Sequence, residues 1–194
     1  MSSASKQSAV PLMTAEVFLA WDGGGHVGKL ELIDGVVRAM APASATHAII
    51  QGNLVAAIPM HLRGQSSPCR AATCAPIRPA IGKLASNIRA PDVAVSCAPP
   101  SASKTFDEPV LIIEVLSPGN IDDTWESIRA LAPLPSLTEI VVVGSEAVLV
   151  EIYRKDGRGA WTFEPEIHTD GSFRLNSIGL DLTVSDVYRG THLG

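Results

Sequence analysis

No apolar run in this 194-residue chain approaches the roughly 18 to 20 residues that a membrane-spanning helix needs, which excludes a helical span and leaves no membrane role to expect. The opening residues, Met1-Ser2-Ser3-Ala4-Ser5-Lys6-Gln7-Ser8, lack the apolar segment of a secretory signal, so a cytoplasmic protein is expected. Cysteine is scarce: Cys69, Cys74 and Cys97 are odd in number and have no Cys-x-x-Cys spacing. Neither a disulfide framework nor a zinc site is indicated, and we read the three as small buried apolar residues. Asp22-Gly23-Gly24-Gly25-His26 lacks the Gly-Lys-Ser/Thr ending of a phosphate loop and is given no nucleotide role. His26, His61, His168 and His192 share no metal-binding spacing. Trp21, Trp125 and Trp161 do not alternate with bases, which argues against a stacking platform for single strands.

The most uneven scarcity is of acidic charge. Between Gly35 and Pro91 there is no Asp or Glu, but there are six bases: Arg38, Arg63, Arg70, Arg78, Lys83 and Arg89. The rest of the chain carries nine bases against twenty acids, so a +6 segment lies inside a protein of net charge -5. A localised positive field can survive an acidic total if these side chains share a face; scattered and solvated, they would make none.

Acids, where they do occur, are informative. Asp92 follows a proline in Ala90-Pro91-Asp92-Val93, and Glu114 interrupts the apolar run Val110-Leu111-Ile112-Ile113-Glu114-Val115-Leu116. A carboxylate within an otherwise apolar strand costs several kcal/mol unless its charge is compensated. Two partners fit: a metal ion shared with Asp92, or an arginine, with Asp92 then only starting a strand at the surface.

A hydrophobic fraction of 46% and the chain length suit one domain over 12–194 that buries its own core, after a polar, unpatterned tail over 1–11. Thr14 to Trp21 reads as a short capped helix. Lys29 to Ile33 and Val36 to Met40 form a hairpin about Asp34-Gly35, with Lys29, Glu31 and Ile33 on one side. Ile50, Leu54, Ile58 and Leu62 recur at helical spacing from His47 to Gly64, with His47 in the first turn and Pro59 expected to kink or shorten the helix. Strands are expected over Cys69 to Ile81, Val93 to Cys97 and Val110 to Leu116. A helix capped by Asp122 or Asp123 and running to about Leu131 should follow. Further strands are expected over Glu139 to Val143, Ala147 to Arg154, Ala160 to His168 and Phe173 to Val184. The class is α+β, a mixed sheet with flanking helices.

The ordered series Glu31-Leu32-Ile33-Asp34-Gly35-Val36-Val37, the His47 helix start, Pro91-Asp92-Val93, Glu114-Val115-Leu116-Ser117-Pro118, Pro135-Ser136-Leu137-Thr138-Glu139 and Val150-Glu151-Ile152-Tyr153-Arg154 resembles the Uma-type "putative restriction endonuclease" family, from about Met13 to Leu193. The resemblance implies a restriction endonuclease-like, PD-(D/E)XK mixed sheet with an additional C-terminal β-region. It further implies that Asp92 and Glu114 are the two acids of the nuclease motif, that Glu31 is an additional acid beside them and that His47 is a polar neighbour. Two carboxylates and the Val115 carbonyl would hold Mg2+, or Mn2+, with water completing the shell. The implied activity is metal-dependent hydrolysis of DNA phosphodiesters by a homodimeric endonuclease.

This sequence departs from the family at the motif lysine. Two residues after Glu114 stands Leu116, and the helical position that carries the lysine in this family is Ser127. A serine hydroxyl does not supply the charge that an ammonium brings to a scissile phosphate. Arg129 is about 200° around the helix from Ser127, which leaves Lys29 and Lys83 as candidate substitutes, Lys29 foremost. Three functions remain: an endonuclease, a catalytically degenerate nuclease fold that binds nucleic acid or a protein, and a homodimeric structural protein.

Overall fold

The computed structural model describes residues 12–79, 86–162 and 164–194; the expected tail over 1–11 and Lys83 lie outside the described residues. In chain order the elements are α1 (Ala15–Ala20), a short 3-10 turn (Gly23–Gly25), β1 (Leu30–Ile33), β2 (Val36–Ala39), α2 (Ala45–Gly64), β3 (Arg70–Thr73), β4 (Val93–Ser96), β5 (Pro109–Leu116), α3 (Ile121–Leu131), β6 (Glu139–Gly144), β7 (Val150–Arg154), β8 (Glu166–His168), β9 (Ser172–Leu175), β10 (Leu180–Thr183) and α4 (Val184–Tyr188). A central six-stranded sheet has the order β3-β4-β5-β6-β7-β8. Its one parallel pair, β5 with β6, is joined through α3, and the other neighbours are antiparallel. The α+β expectation holds, with β1-β2 and β9-β10 as separate hairpins.

Period-two alternation along the central strands divides two cores. Val93 and Val95 of β4 and Leu111, Ile113 and Val115 of β5 pack with α2, α4 and the β9-β10 hairpin. Ala94, Ile112, Ile140 and Val142 point to the opposite face, where Ile128 and Leu131 of α3 cover them. Asp92 and Glu114 share the parity of Ala94 and Ile112, so the pleat turns both toward the α3 side. The antiparallel register pairs Val93 with Ile113, and its next step places Asp92 opposite Glu114.

The face of α2 is as its spacing predicts, with Ile50, Leu54, Ile58 and Leu62 buried. His47 lies one turn earlier on that stripe and is buried too. Ser44 caps the helix by accepting from the His47 N–H, and α2 continues through Pro59 to Gly64 rather than ending early.

Several expectations are corrected. The strand expected over Cys69 to Ile81 spans only Arg70–Thr73, because Cys74 takes a φ of 47° that breaks the extended run. Asn120, not Asp122 or Asp123, occupies the α3 cap position. The span from Phe173 to Val184 divides into β9 and β10 about a turn, and Thr183 then caps α4. Cys69 and Cys97 form a disulfide, and Cys74 is exposed, so the reading of three buried apolar thiols fails. The cause is register: Arg70 pairs with Ser96, which sets Cys69 directly across from Cys97.

Candidate active site

Asp92 and Glu114 lie at the floor of a cavity of about 660 Å³, where they are 5% and 2% exposed. The cavity is bounded by the chain before β1, the segment after β2, the start of α2 and one face of α3. The two acids are tied to each other's strands: the Asp92 N–H donates to Glu114 Oε2 at 3.3 Å, and the Val115 N–H donates to Asp92 Oδ2 at 2.9 Å. These bonds fix the carboxylates where the β4-β5 ladder ends.

Lys29 reaches both acids. Its Nζ is 3.3 Å from Asp92 Oδ1 and 3.9 Å from Glu114 Oε2. Burial alone would lower the ammonium's pKa, but Glu114, Asp92 and Glu31 together raise it above the ordinary lysine value. Lys29 is therefore a permanent cation at neutral pH. Ser127, at the family's lysine position, is buried, lines the same cavity, and its Oγ has no hydrogen-bond partner among the described residues. Arg129 is exposed and does not line the cavity.

His47 approaches from α2, with Nε2 3.2 Å from Asp92 Oδ2. An ionised carboxylate only accepts, so Nε2 carries the proton; in a neutral ring Nδ1 then accepts from the Ser117 hydroxyl at 3.2 Å. Ser117 Oγ is in turn 3.3 Å from Ser145 Oγ. Burial raises the Asp92 pKa, but the His47 hydrogen bond, the Lys29 charge and the Val115 N–H outweigh it and hold the carboxyl at about 2.

Glu114 is left short of positive charge. Burial and the neighbouring Asp92 and Glu31 carboxylates push it up to about 8 despite Lys29, because one ammonium, closer to Asp92, does not neutralise two facing carboxylates. Glu139 shows what a satisfied buried acid looks like in the same sheet. It accepts from Arg154 Nε, from the N–H groups of Asn176 and Ser177, and from Ser177 Oγ. Glu114 has no such enclosure and faces a cavity.

Folding the metal-free chain therefore raises the Glu114 pKa from 4.5 to about 8. The associated stability is fully present below about pH 4.5 and is lost as pH rises through about 8. Asp92, shifted the other way, matters only as pH falls from about 4 toward 2. The metal-free protein is thus expected to lose stability, on the order of a few kcal/mol, between pH 5 and 8.5. Thermal melts over that range should show the decline in the wild type and its absence in Glu114→Gln; equal profiles would contradict this assignment.

Glu31 comes close but is otherwise engaged. Its Oε1 accepts from the Ala90 N–H at 2.9 Å, and Arg89 Nη1 donates to Oε2 at 3.3 Å. Arg89 also reaches Glu126 on α3, so this buried arginine locks β1, the approach to β4 and α3 together. Sequence reasoning did not single out Arg89, Ser117, Ser145 or Asn120. Asn120 holds Ser117 through its backbone N–H and donates to the Val115 carbonyl at 3.4 Å.

Of the five described bases of the basic segment, Arg63 is exposed near the end of α2, and the other four sit against acids, a carbonyl or a ring. Arg38 pairs with Asp123 and Glu126, Arg78 with Glu16, and Arg89 with Glu31 and Glu126. Arg70 donates to the Ala98 carbonyl and lies over Phe106.

The donor set suits a hard cation. No three His, Cys, Asp or Glu side chains among the described residues are grouped to hold a metal; the oxygen donors at hand are the Asp92 and Glu114 carboxylates, a hard set of the kind Mg2+ takes with water.

A mixed sheet that brings two acids together at the junction of adjacent strands, with a lysine beside them, defines a nuclease-like fold. A crystal structure of a putative nuclease belonging to DUF820, from Anabaena variabilis ATCC 29413, superposes with a TM-score of 0.71 at 19% identity, covering 91% of this chain and 97% of that one. The Uma2 profile, described as "Putative restriction endonuclease", matches residues 15–185, and the chain is 30% identical over 193 residues to the uncharacterized protein slr1290 of Synechocystis, covering 98% of each. The chain belongs to the Uma2 family.

Proposed function

We propose that this chain is a divalent-metal-dependent nuclease hydrolysing DNA phosphodiesters, with Asp92, Glu114 and the Val115 carbonyl as the groups that would hold Mg2+ or Mn2+. The observation that carries the reading is the placement of Lys29 Nζ against both acids. When bound, the cation would lower the pKa of a water and neutralise charge on the phosphate oxygens. Lys29 supplies the fixed positive charge that the family places at the position of Ser127, reaching the same cavity from the β1 side. His47 orients Asp92 through Nε2, and Ser117 and Ser145 hold the imidazole in the required tautomer. Glu31 serves the site indirectly, by fixing Arg89 and the Ala90 peptide just before Asp92.

The alternative, a degenerate nuclease fold that binds without cutting, draws its support from the absent motif lysine; the placement of Lys29 beside both acids supports the cutting reading instead. A homodimer, as the family resemblance implies, belongs to the same proposal.

The test is cleavage of supercoiled plasmid and of a single-stranded oligonucleotide in Mg2+ or Mn2+. Wild type should cut at least one of them, and Asp92→Ala and Glu114→Ala should lose at least about a hundredfold in rate. Equal residual cleavage in all three proteins would sink the proposal.

A further inference from the structure

We infer that the substrate is a short phosphodiester, of dinucleotide size or the terminal dinucleotide of a strand, rather than a long duplex followed along its backbone. This deepens the nuclease reading and rests on it. Proteins that track a nucleic-acid backbone neutralise several phosphates at once, with lysines and arginines arrayed along a groove. Here Lys29 is the one lysine or arginine lining the cavity among the described residues.

Of the described bases in the acid-free segment, none lines the cavity: Arg63 is exposed near the end of α2, and others are paired with acids. Arg38, at the end of the hairpin nearest α3, faces Asp123 and Glu126. Arg89 is buried against Glu31 and Glu126, and Arg78 is paired with Glu16. Asp123 also lines the cavity, which adds negative charge where a second phosphate of a long chain would pass.

The cavity itself favours a compact ligand. Its volume, about 660 Å³, is that of a pocket enclosing a molecule of a few tens of atoms. Small apolar residues, Ala39, Met40, Ala41, Pro42 and Ala43, form one wall. They suit sugar and base surfaces and offer no phosphate clamp. On the floor, one ammonium and one acid pair match one scissile phosphate. Ser127 Oγ, buried and without a partner among the described residues, lines that same cavity and supplies a donor for a ligand hydroxyl or phosphate oxygen. In the hydrolysis, the water oxygen bonds to phosphorus and the P–O bond to one sugar breaks. The leaving oxygen takes up a proton, and the second water proton passes to solvent.

The test compares binding of three fluorescently labelled ligands to the full chain in Ca2+, at 50 and 200 mM salt: the dinucleotide pdTpdT, a 20-nucleotide oligo-dT and a 20-base-pair duplex. The dinucleotide should bind within about tenfold of the longer ligands, and log affinity should fall with log salt at a slope near about -1 for each, the value for one phosphate contact. Affinity for the 20-mer or duplex about a hundredfold or more above that for the dinucleotide, with a slope of about -4 or steeper, would overturn this inference and leave the nuclease reading standing. Dinucleotide binding without any cleavage in Mg2+ or Mn2+ would do the reverse. Failure of all three ligands to bind would remove both.

Discussion

Replacing Lys29 by methionine is expected to slow phosphodiester cleavage by about a hundredfold or more while tightening, not weakening, the binding of a divalent cation. The two effects separate because Lys29 serves the acids and the substrate differently. In the free protein its ammonium is the nearest cation to both carboxylates and competes with an incoming metal ion. On the proposed reading, with substrate present the same charge would stabilise the phosphate as negative charge builds on its oxygens. Methionine keeps the length and apolar stem and removes only the charge. Lys29→Arg keeps the charge but should recover cleavage only in part, because a planar guanidinium fork does not place its charge where a compact ammonium does. Adding Ser127→Lys to Lys29→Met should return part of the lost rate, since residue 127 lines the same cavity and its hydroxyl has no partner among the described residues. A purely structural role for Lys29 predicts otherwise: lost stability, weaker metal binding and no rescue from α3.

The site was legible in the sequence to the extent that it depends on alternation and helical spacing. Glu114 stood out as a charge in an apolar strand, and the α2 stripe of Ile50, Leu54, Ile58 and Leu62 carried His47 to the site with it. Lys29 could be placed on the side of Glu31 by strand parity alone, although its contact with Asp92 spans 63 positions and depends on how the β1-β2 hairpin docks. What depends on strand register was not legible. The Cys69–Cys97 pairing follows from β3 against β4, and neither cysteine count nor spacing encodes that register. The fate of the basic segment was hidden for a related reason. A run free of acids says nothing about which distant acids pack against it, and Glu16, Glu31, Asp123 and Glu126 all come from outside it. The Ser117-Ser145 relay behind His47 joins two strand ends, β5 and β6, through residues too common to carry a motif.

The raised Glu114 pKa and the facing carboxylates of Asp92 and Glu114 together make a cation site the central claim. Neutralising one of the pair removes one of the two negative charges offered to an ion of charge two, and such a change is expected to weaken binding by about ten- to a hundredfold or more. Asp92→Asn preserves shape and can still accept from the Val115 N–H, so its effect reports charge rather than misfolding. The direct measurement is a Mn2+ binding isotherm for the wild type and for Asp92→Asn, taken at pH 8 where proton competition at Glu114 is relieved. One ion bound per wild-type chain, with that binding lost in Asp92→Asn, is the predicted result; equal binding by the two proteins, or none by the wild type, would contradict it.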